Sequence, residues 1–299
     1  MTEIYAPPLL DLAEPSRQAL LRRRVFAHAG LLIALALLGI IATMALLAPV
    51  VAPHDPYAQD LSRRLIPPIW SAKGTWTHIL GTDNLGRDYL SRVIYGARIS
   101  LLIGVSVMLI SGLIGATLGL AAGYFGGRVD MAVTFIITVR LALPLILVAL
   151  AVVAVVGGSL WVVIAVLGLL KWDRFAVVMR AATQQVRALD YVTAAQATGA
   201  STARIIVSEV LPNVLPALIV VASIEAASAI LLEAALSFLG LGVQPPLPSW
   251  GLMIAEAKSY MFFSFWLIAI PGTMLALLVL AINMLGDGIR DVAAPSGRG

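Results

Sequence analysis

Residues 22–51, RRRVFAHAGLLIALALLGIIATMALLAPVV, decide the fold. Three arginines abut an apolar run, 25–51, longer than the roughly 20 residues that cross a hydrocarbon core of about 30 Å. A secretory signal peptide shares the basic start, but its apolar core holds only about 7–15 residues. A retained signal-anchor helix is therefore expected. The rest of the chain repeats the pattern. Of 299 residues, 60% are hydrophobic and 12% charged, and the mean hydropathy is +0.97. A soluble domain carries about 25% charge. The composition excludes intrinsic disorder, and the absence of cysteine excludes a disulfide-stapled secreted domain.

Five further runs lie at 99–123, 131–156, 159–170 (continued helically through Trp172 to Arg180), 214–237 and 262–285. The expected fold is all-α, a polytopic membrane protein of six transmembrane helices with both termini on one side. Twelve Lys and Arg residues then lie on that side, against seven on the other, and Arg140 lies within the third span. The positive-inside bias makes the richer side the cytoplasm. The net charge of +4 is thus a topology signal rather than a nucleic-acid footprint. No fixed-period repeat is visible. The reading gives a cytoplasmic tail 1–24, one transmembrane domain 25–290, and a cytoplasmic tail 291–299. Within the domain, 52–98 and 238–261 are outer segments and 181–213 is a cytoplasmic loop.

Several segments carry candidate function. Ser111, Gly115, Gly119 and Gly123 form a small-residue face that lets two helix backbones approach closely, within the chain or against a second subunit. Gly81, Thr82, Asp83, Gly86, Arg87 and Asp88 make an outer turn. Asp88 can N-cap a surface helix with Leu90, Val93, Ile94 and Ala97 on one face and Ser91 and Arg92 on the other. Metal or acid–base chemistry at Asp83, Arg87 and Asp88 lacks an accompanying pocket-forming His or Cys, so a salt-bridged turn is expected and no metal site. In the inner loop, Asp190 can cap a helix at 191–198 that Gly199 ends in a left-handed conformation, and Ser201 can cap a second piece running to Pro212. Arg140, Glu225 and Glu233 sit inside apolar spans, where a charge costs about 3 kcal/mol on insertion scales. Glu225 and Glu233 lie about 80° apart on a helix of 3.6 residues per turn. They could line one pathway, or pair structurally between helices.

Enzyme chemistry has little support. His28 abuts a span, and His54 and His78 lie in a Pro-rich outer stretch. No H-E-x-x-H, G-x-S-x-G or phosphate-loop pattern occurs. A secondary transporter driven by an ion gradient is one reading; inverted-repeat halves with broken midplane helices would favour it, and the sequence shows no convincing halves.

Read together, the motifs resemble one family. They are Leu80-Gly81-Thr82-Asp83 with Gly86-Arg87-Asp88, Gly123-Tyr124-Phe125-Gly126-Gly127, Tyr191-Val192-Thr193-Ala194-Ala195 with Gly199, and Leu211-Pro212-Asn213. Leu236-Ser237-Phe238-Leu239-Gly240, Ser249-Trp250-Gly251 and Gly286-Asp287-Gly288-Ile289-Arg290-Asp291 complete the set. The chain is similar to the permease subunit of ATP-binding-cassette importers of the dipeptide/oligopeptide/nickel group, most closely the C-type (second) subunit. The resemblance implies a multi-pass protein of the bacterial cytoplasmic membrane, with no cofactor of its own and ATP and Mg on partner subunits. It implies four kinds of partner: a homologous second permease, two ATP-binding subunits, an extracytoplasmic solute-binding protein and the lipid bilayer. It makes 191–199 the coupling helix, with Tyr191, Thr193, Ala194, Ala195, Gly199, Glu209 and Pro212 in the coupling loop. Thr193 replaces the family's Glu, and Glu209 stands where relatives are often basic. Phe135 and Thr138 replace a common Arg and Asp. Glu233 fits the family pattern, whereas Arg140 and Glu225 do not, and those two are expected to place charge along the path, suiting a zwitterionic peptide's ends.

Overall fold

The computed structural model describes residues 25–293. The tail 1–24, with its triple arginine, and the positions 294–299 lie outside the described residues. Helix α1 (Ala29–Leu46) is capped by His28, whose Nδ1 accepts the Leu31 N–H at 3.1 Å. A break at Leu47 and one further turn, Ala48–Val51, lead into an irregular outer segment. Helix α2 (Tyr89–Phe125) then runs unbroken for 37 residues.

Helices α3 (Gly127–Ala142) and α4 (Leu145–Val156) meet at 80°. The cause is Pro144, which has no N–H to continue the ladder and forces Leu143 into an extended conformation. Helices α5 (Leu160–Leu170) and α6 (Asp173–Arg187) are split at Lys171 and Trp172. The short α7 (Asp190–Ala197) follows. From Thr202 the chain passes through a π-helical turn, Ile205–Val210, straight into α8 (Leu211–Phe238). Helices α9 (Trp250–Ala257) and α10 (Trp266–Ala293) complete the fold.

The all-α expectation holds, since the described residues contain only two isolated β-bridges and no strand. The spans are less regular than expected. Among the described residues, four helices are long and apolar enough to cross a membrane, or five if the bent pair α3–α4 is one crossing. The third expected span is therefore broken. The fourth, 159–180, divides into an apolar α5 and a polar-faced α6 at the buried Lys171. Only 22% of the apolar window of α1 and 28% of that of α10 is buried. Apolar surface on that scale far exceeds the few hundred Å² that soluble monomers expose, so hydrocarbon is the solvent.

Two contacts order the bundle. His28 Nε2 lies 3.1 Å from Asp291 Oδ2, so the start of α1 and the end of α10 share one end. Tyr89 Oη donates to the Leu267 carbonyl and ties the starts of α2 and α10 together at the other. The small-residue face of α2 packs within the chain, against α6. A Cβ at Gly115 or Gly119 would overlap the carbonyl oxygens of Trp172 and Ala176, and one at Gly123 would lie 2.7 Å from that of Arg180. Asp130 of α3 and Arg180 of α6 close the same seam with a salt bridge, Nη2 to Oδ2 2.7 Å.

Candidate coupling loop, buried charges and outer cluster

Helix α7 is an exposed rod with one anchor. Val192 is fully buried among Tyr124, Met179, Ile205, Val210 and Val214. Tyr191, Thr193 and Ala194 are exposed, and Ala195 is half-buried. Asp190 turns out to be the first helical residue rather than the cap: Leu189 holds the cap position in extended conformation without a side-chain bond. Asp190 still places its carboxylate at the positive end of the helix. Gly199 takes φ +79°, the left-handed stop expected of it. Ser201 Oγ accepts the Arg204 N–H at 3.4 Å. A groove of about 260 Å³ runs beside α7, bordered by Gly199, Arg204, Ser208 and Glu209. Pro212 is the second residue of α8, directly after the π-helical turn, whose looser ladder accommodates its missing N–H.

The three charges inside the spans find separate partners. Glu225 is 1% exposed, with Lys171 Nζ 2.7 Å from Oε2 and Arg174 Nη1 3.3 Å from Oε1. Lys171 also donates to Ser228 Oγ at 2.9 Å. Arg140 instead spends its guanidinium on the Leu170 carbonyl, with Nε at 2.7 Å. That carbonyl belongs to the last turn of α5, which has no intrahelical donor left and attracts cations. The cations beside Glu225 are therefore Lys171 and Arg174, and Lys171 lies buried in the bundle rather than in a hydrated inner loop. Sequence reasoning missed both, because the contact joins α8 to the α5–α6 break and leaves no local pattern.

Glu225, Asp173 and Arg174 border an open cavity of about 360 Å³ with apolar walls from Val177, Val221 and Ile224. Glu233 stands apart from it. Buried to 1% exposure, it accepts from Ser237 Oγ at 2.7 Å and from Ser249 Oγ at 3.0 Å. Ser249 also N-caps α9, so Glu233 clasps α8 to α9. Both carboxylates are paired between helices, Glu225 with Lys171 and Arg174 and Glu233 with Ser249, and of the two Glu225 also borders the cavity.

The outer turn is the salt-bridged structure its sequence suggests. Gly81 and Gly86 adopt φ +80° and +75°. Asp83 Oδ1 accepts the N–H groups of Leu85 and Arg87 at 2.9 and 3.0 Å, and Oδ2 pairs with Arg87 Nε at 2.6 Å. Glu256 of α9 receives Arg87 at 3.2 Å and Arg92 at 2.6 Å. Asp88 N-caps α2 through Oδ2, 2.8 Å from the Ser91 N–H.

Two expectations need correction. There is no separate surface helix, because α2 is continuous from Tyr89, and Ser91 and Arg92 are buried rather than solvated. Glu256 and Asp83 supply the counter-charge that lets Arg92 be buried. The turn also does not lack histidine: His54 and His78 both reach Asp88, at 3.6 and 2.8 Å. Their presence in one short outer segment was the sequence signal.

Comparisons with known proteins follow this geometry. Residues 115–298 match the family described as binding-protein-dependent transport system inner membrane component. Residues 16–68 match the N-terminal transmembrane domain of oligopeptide transport permease C. The chain is 45% identical to the di/tripeptide transport system permease protein DppC of Pseudomonas aeruginosa, covering 90% of this chain and 89% of that one. It is 40% identical to the dipeptide transport system permease protein DppC of Haemophilus influenzae, covering 89% and 90%. Among solved structures, the inward-facing MetNI methionine ABC transporter matches with a TM-score of 0.55 at 19% identity, over 67% of this chain and 96% of that one. At that identity the likeness speaks to fold alone.

Proposed function

From the premise that this chain belongs to the binding-protein-dependent transport system inner membrane component family, in its oligopeptide permease C branch, we propose that it forms half of a translocation pathway for dipeptides or short oligopeptides. It is a multi-pass permease subunit of an ATP-binding-cassette importer in a bacterial inner membrane. It is a transport subunit rather than an enzyme, and in such systems ATP is hydrolysed on separate subunits.

A homologous permease supplies the other half of the pathway, two ATPases dock on the coupling loops, and an extracytoplasmic binding protein delivers the solute. The chain crosses six times, with α3–α4 as one bent crossing and α5–α6 as another, and both termini are cytoplasmic. The observation that carries the docking role is the exposure of Tyr191, Thr193 and Ala194 on a helix anchored by Val192 and the half-buried Ala195. ATP closes the ATPases, α7 moves with them, and the bundle turns from inward-facing to outward-facing. The shift requires that ATP bind the closed state more tightly than the open one.

The cavity beside Glu225 faces the partner permease and lines the path. Glu225 and Arg174 offer charges of both signs to a zwitterionic peptide, in the role the sequence suggested for Arg140 with Glu225. Arg174→Gln is expected to change peptide preference with assembly intact, whereas Arg140→Leu should act on stability. Unchanged uptake and preference in an Arg174→Gln/Glu225→Gln double variant would refute the pathway role.

The function as a whole is tested by purifying the tagged chain in mild detergent and identifying the proteins that accompany it. An active preparation without an ATPase or a second permease would sink the importer reading. Uptake by the chain alone in liposomes would instead establish a secondary transporter.

A further inference from the structure

His54, His78 and Asp88 come from separate stretches of the outer segment and meet in one place. Their donor atoms all lie within 4.8 Å of one another. Asp88 Oδ1 is 2.8 Å from His78 Nδ1 and 3.6 Å from His54 Nδ1. A tetrahedral Zn²⁺ with bonds of roughly 2.0–2.2 Å separates its donors by about 3.3 Å. The two distances to Asp88 fall either side of that value, and the imidazole pair, within 4.8 Å, would draw together on binding.

Two further features favour a ligand over a plain hydrogen bond. His54 Nδ1 is buried and has no hydrogen-bond partner, and at 3.6 Å from Asp88 it is too far for one. The orientation of the set is also fixed from behind. Ser91 donates to Asp88 Oδ2 from both N–H and Oγ, at 2.8 and 2.7 Å, which leaves Oδ1 for the imidazoles. The same Ser91 Oγ accepts the His54 backbone N–H at 3.0 Å. Hydrogen bonds that hold a ligating group in this way are a regular part of metal sites. The three residues line a cavity of about 190 Å³ with Asp55, Asp60 and Arg63, the last two paired with each other at 3.3 Å, which leaves room for a fourth donor or a water.

We propose that His54, His78 and Asp88 bind one divalent transition-metal ion of the zinc class. Two imidazoles and a carboxylate suit Zn²⁺ and its neighbours rather than Mg²⁺ or Ca²⁺, which take oxygen ligands. The ion would cross-link the segment after α1, the loop bearing His78 and the N-terminus of α2. The proposal does not depend on the transported solute.

The full chain, purified with its accompanying subunits through a tag that contains no histidine, is stripped with a chelator and equilibrated with Zn²⁺. Bound metal is then counted by mass spectrometry. The chain has three histidines and no cysteine, which keeps the count simple. The parent should hold one equivalent more than His54→Ala, and apparent affinity should fall at least tenfold in His54→Ala and in Asp88→Asn. His54→Ala removes no existing side-chain hydrogen bond, and Asn preserves the cap on α2, so both variants should fold. X-ray absorption should show two imidazole shells around the parent's zinc. Equal zinc in parent and His54→Ala, no retained zinc in the parent, or a metal without imidazole scattering would each overturn the proposal.

Discussion

Removing Lys171 should be among the most damaging single changes in the bundle. Its ammonium is 2.7 Å from Glu225, and the two side chains are 4% and 2% exposed. Lys171→Met leaves Glu225 buried with only Arg174, which is 3.3 Å away on a side chain 65% exposed. Breaking a buried pair from one side costs about 3–5 kcal/mol, because the remaining charge is left uncompensated. Arg174 offsets part of that, so about 3 kcal/mol is expected. Glu225→Leu strands Lys171 with Ser228 alone and should cost a similar amount. The double variant Lys171→Met/Glu225→Leu removes both charges at little change in volume and should return close to parental stability. The coupling in the double-mutant cycle is then about 6 kcal/mol in magnitude, the two single costs being absent from the double variant. Equilibrium unfolding in mixed micelles measures it, with tryptophan emission as the signal, since Trp172 lies next to the pair. Single variants that cost under about 1 kcal/mol, or a double variant that costs the sum of the two, would refute the claim that the pair compensates a buried charge.

Other outcomes follow from the same geometry. Gly119→Ala should destabilise by about 1–3 kcal/mol through overpacking against Met179 and Ala176. Gly272→Ala, which meets nothing within 4 Å, should instead stabilise α10 by about 0.5–1 kcal/mol; the same unfolding assay separates the two signs. Glu256→Gln leaves Arg87 and Arg92 short of a counter-charge and should cost about 2–4 kcal/mol, discounted because Glu256 is 20% exposed. Gly199→Ala has open space around the new Cβ, so only the left-handed backbone opposes it, at about 1–2 kcal/mol. It should lower transport-coupled ATP hydrolysis more than it lowers the amount of assembled complex, as read by quantitative blotting.

Apolar length made α1, α2, α8 and α10 legible in the sequence, because the bilayer sets a span that composition alone can meet. Gly199 and Ser201 were legible because turn chemistry is local. The bend between α3 and α4 was only half visible: Pro144 announces a break, but neighbouring helices set its angle. The division of α5 from α6 was hidden, since Lys171 reads as a loop cation until Glu225 is found beside it. Contacts between distant stretches were beyond any periodicity argument. That group includes the Arg87–Arg92–Glu256 cluster, the clasp of Glu233 on Ser249, and the meeting of His54 and His78 at Asp88. The coupling-loop role rests on family membership and on the exposure of Tyr191, Thr193 and Ala194, and the pathway role on the cavity that Glu225 and Arg174 border.

The π-helical turn at Ile205–Val210 has a consequence for how motion travels. It lies between α7 and Glu225 on α8, and a turn of this kind is wider than the α-helical turns around it. In an ordinary helix each residue advances the azimuth by about 100°. A one-residue slip through the wide turn would therefore swing Glu225 about a quarter turn around the α8 axis while α7 stayed seated. The register of this turn therefore sets the angular phase of Glu225 relative to α7, and with it the approach of Glu225 to Lys171.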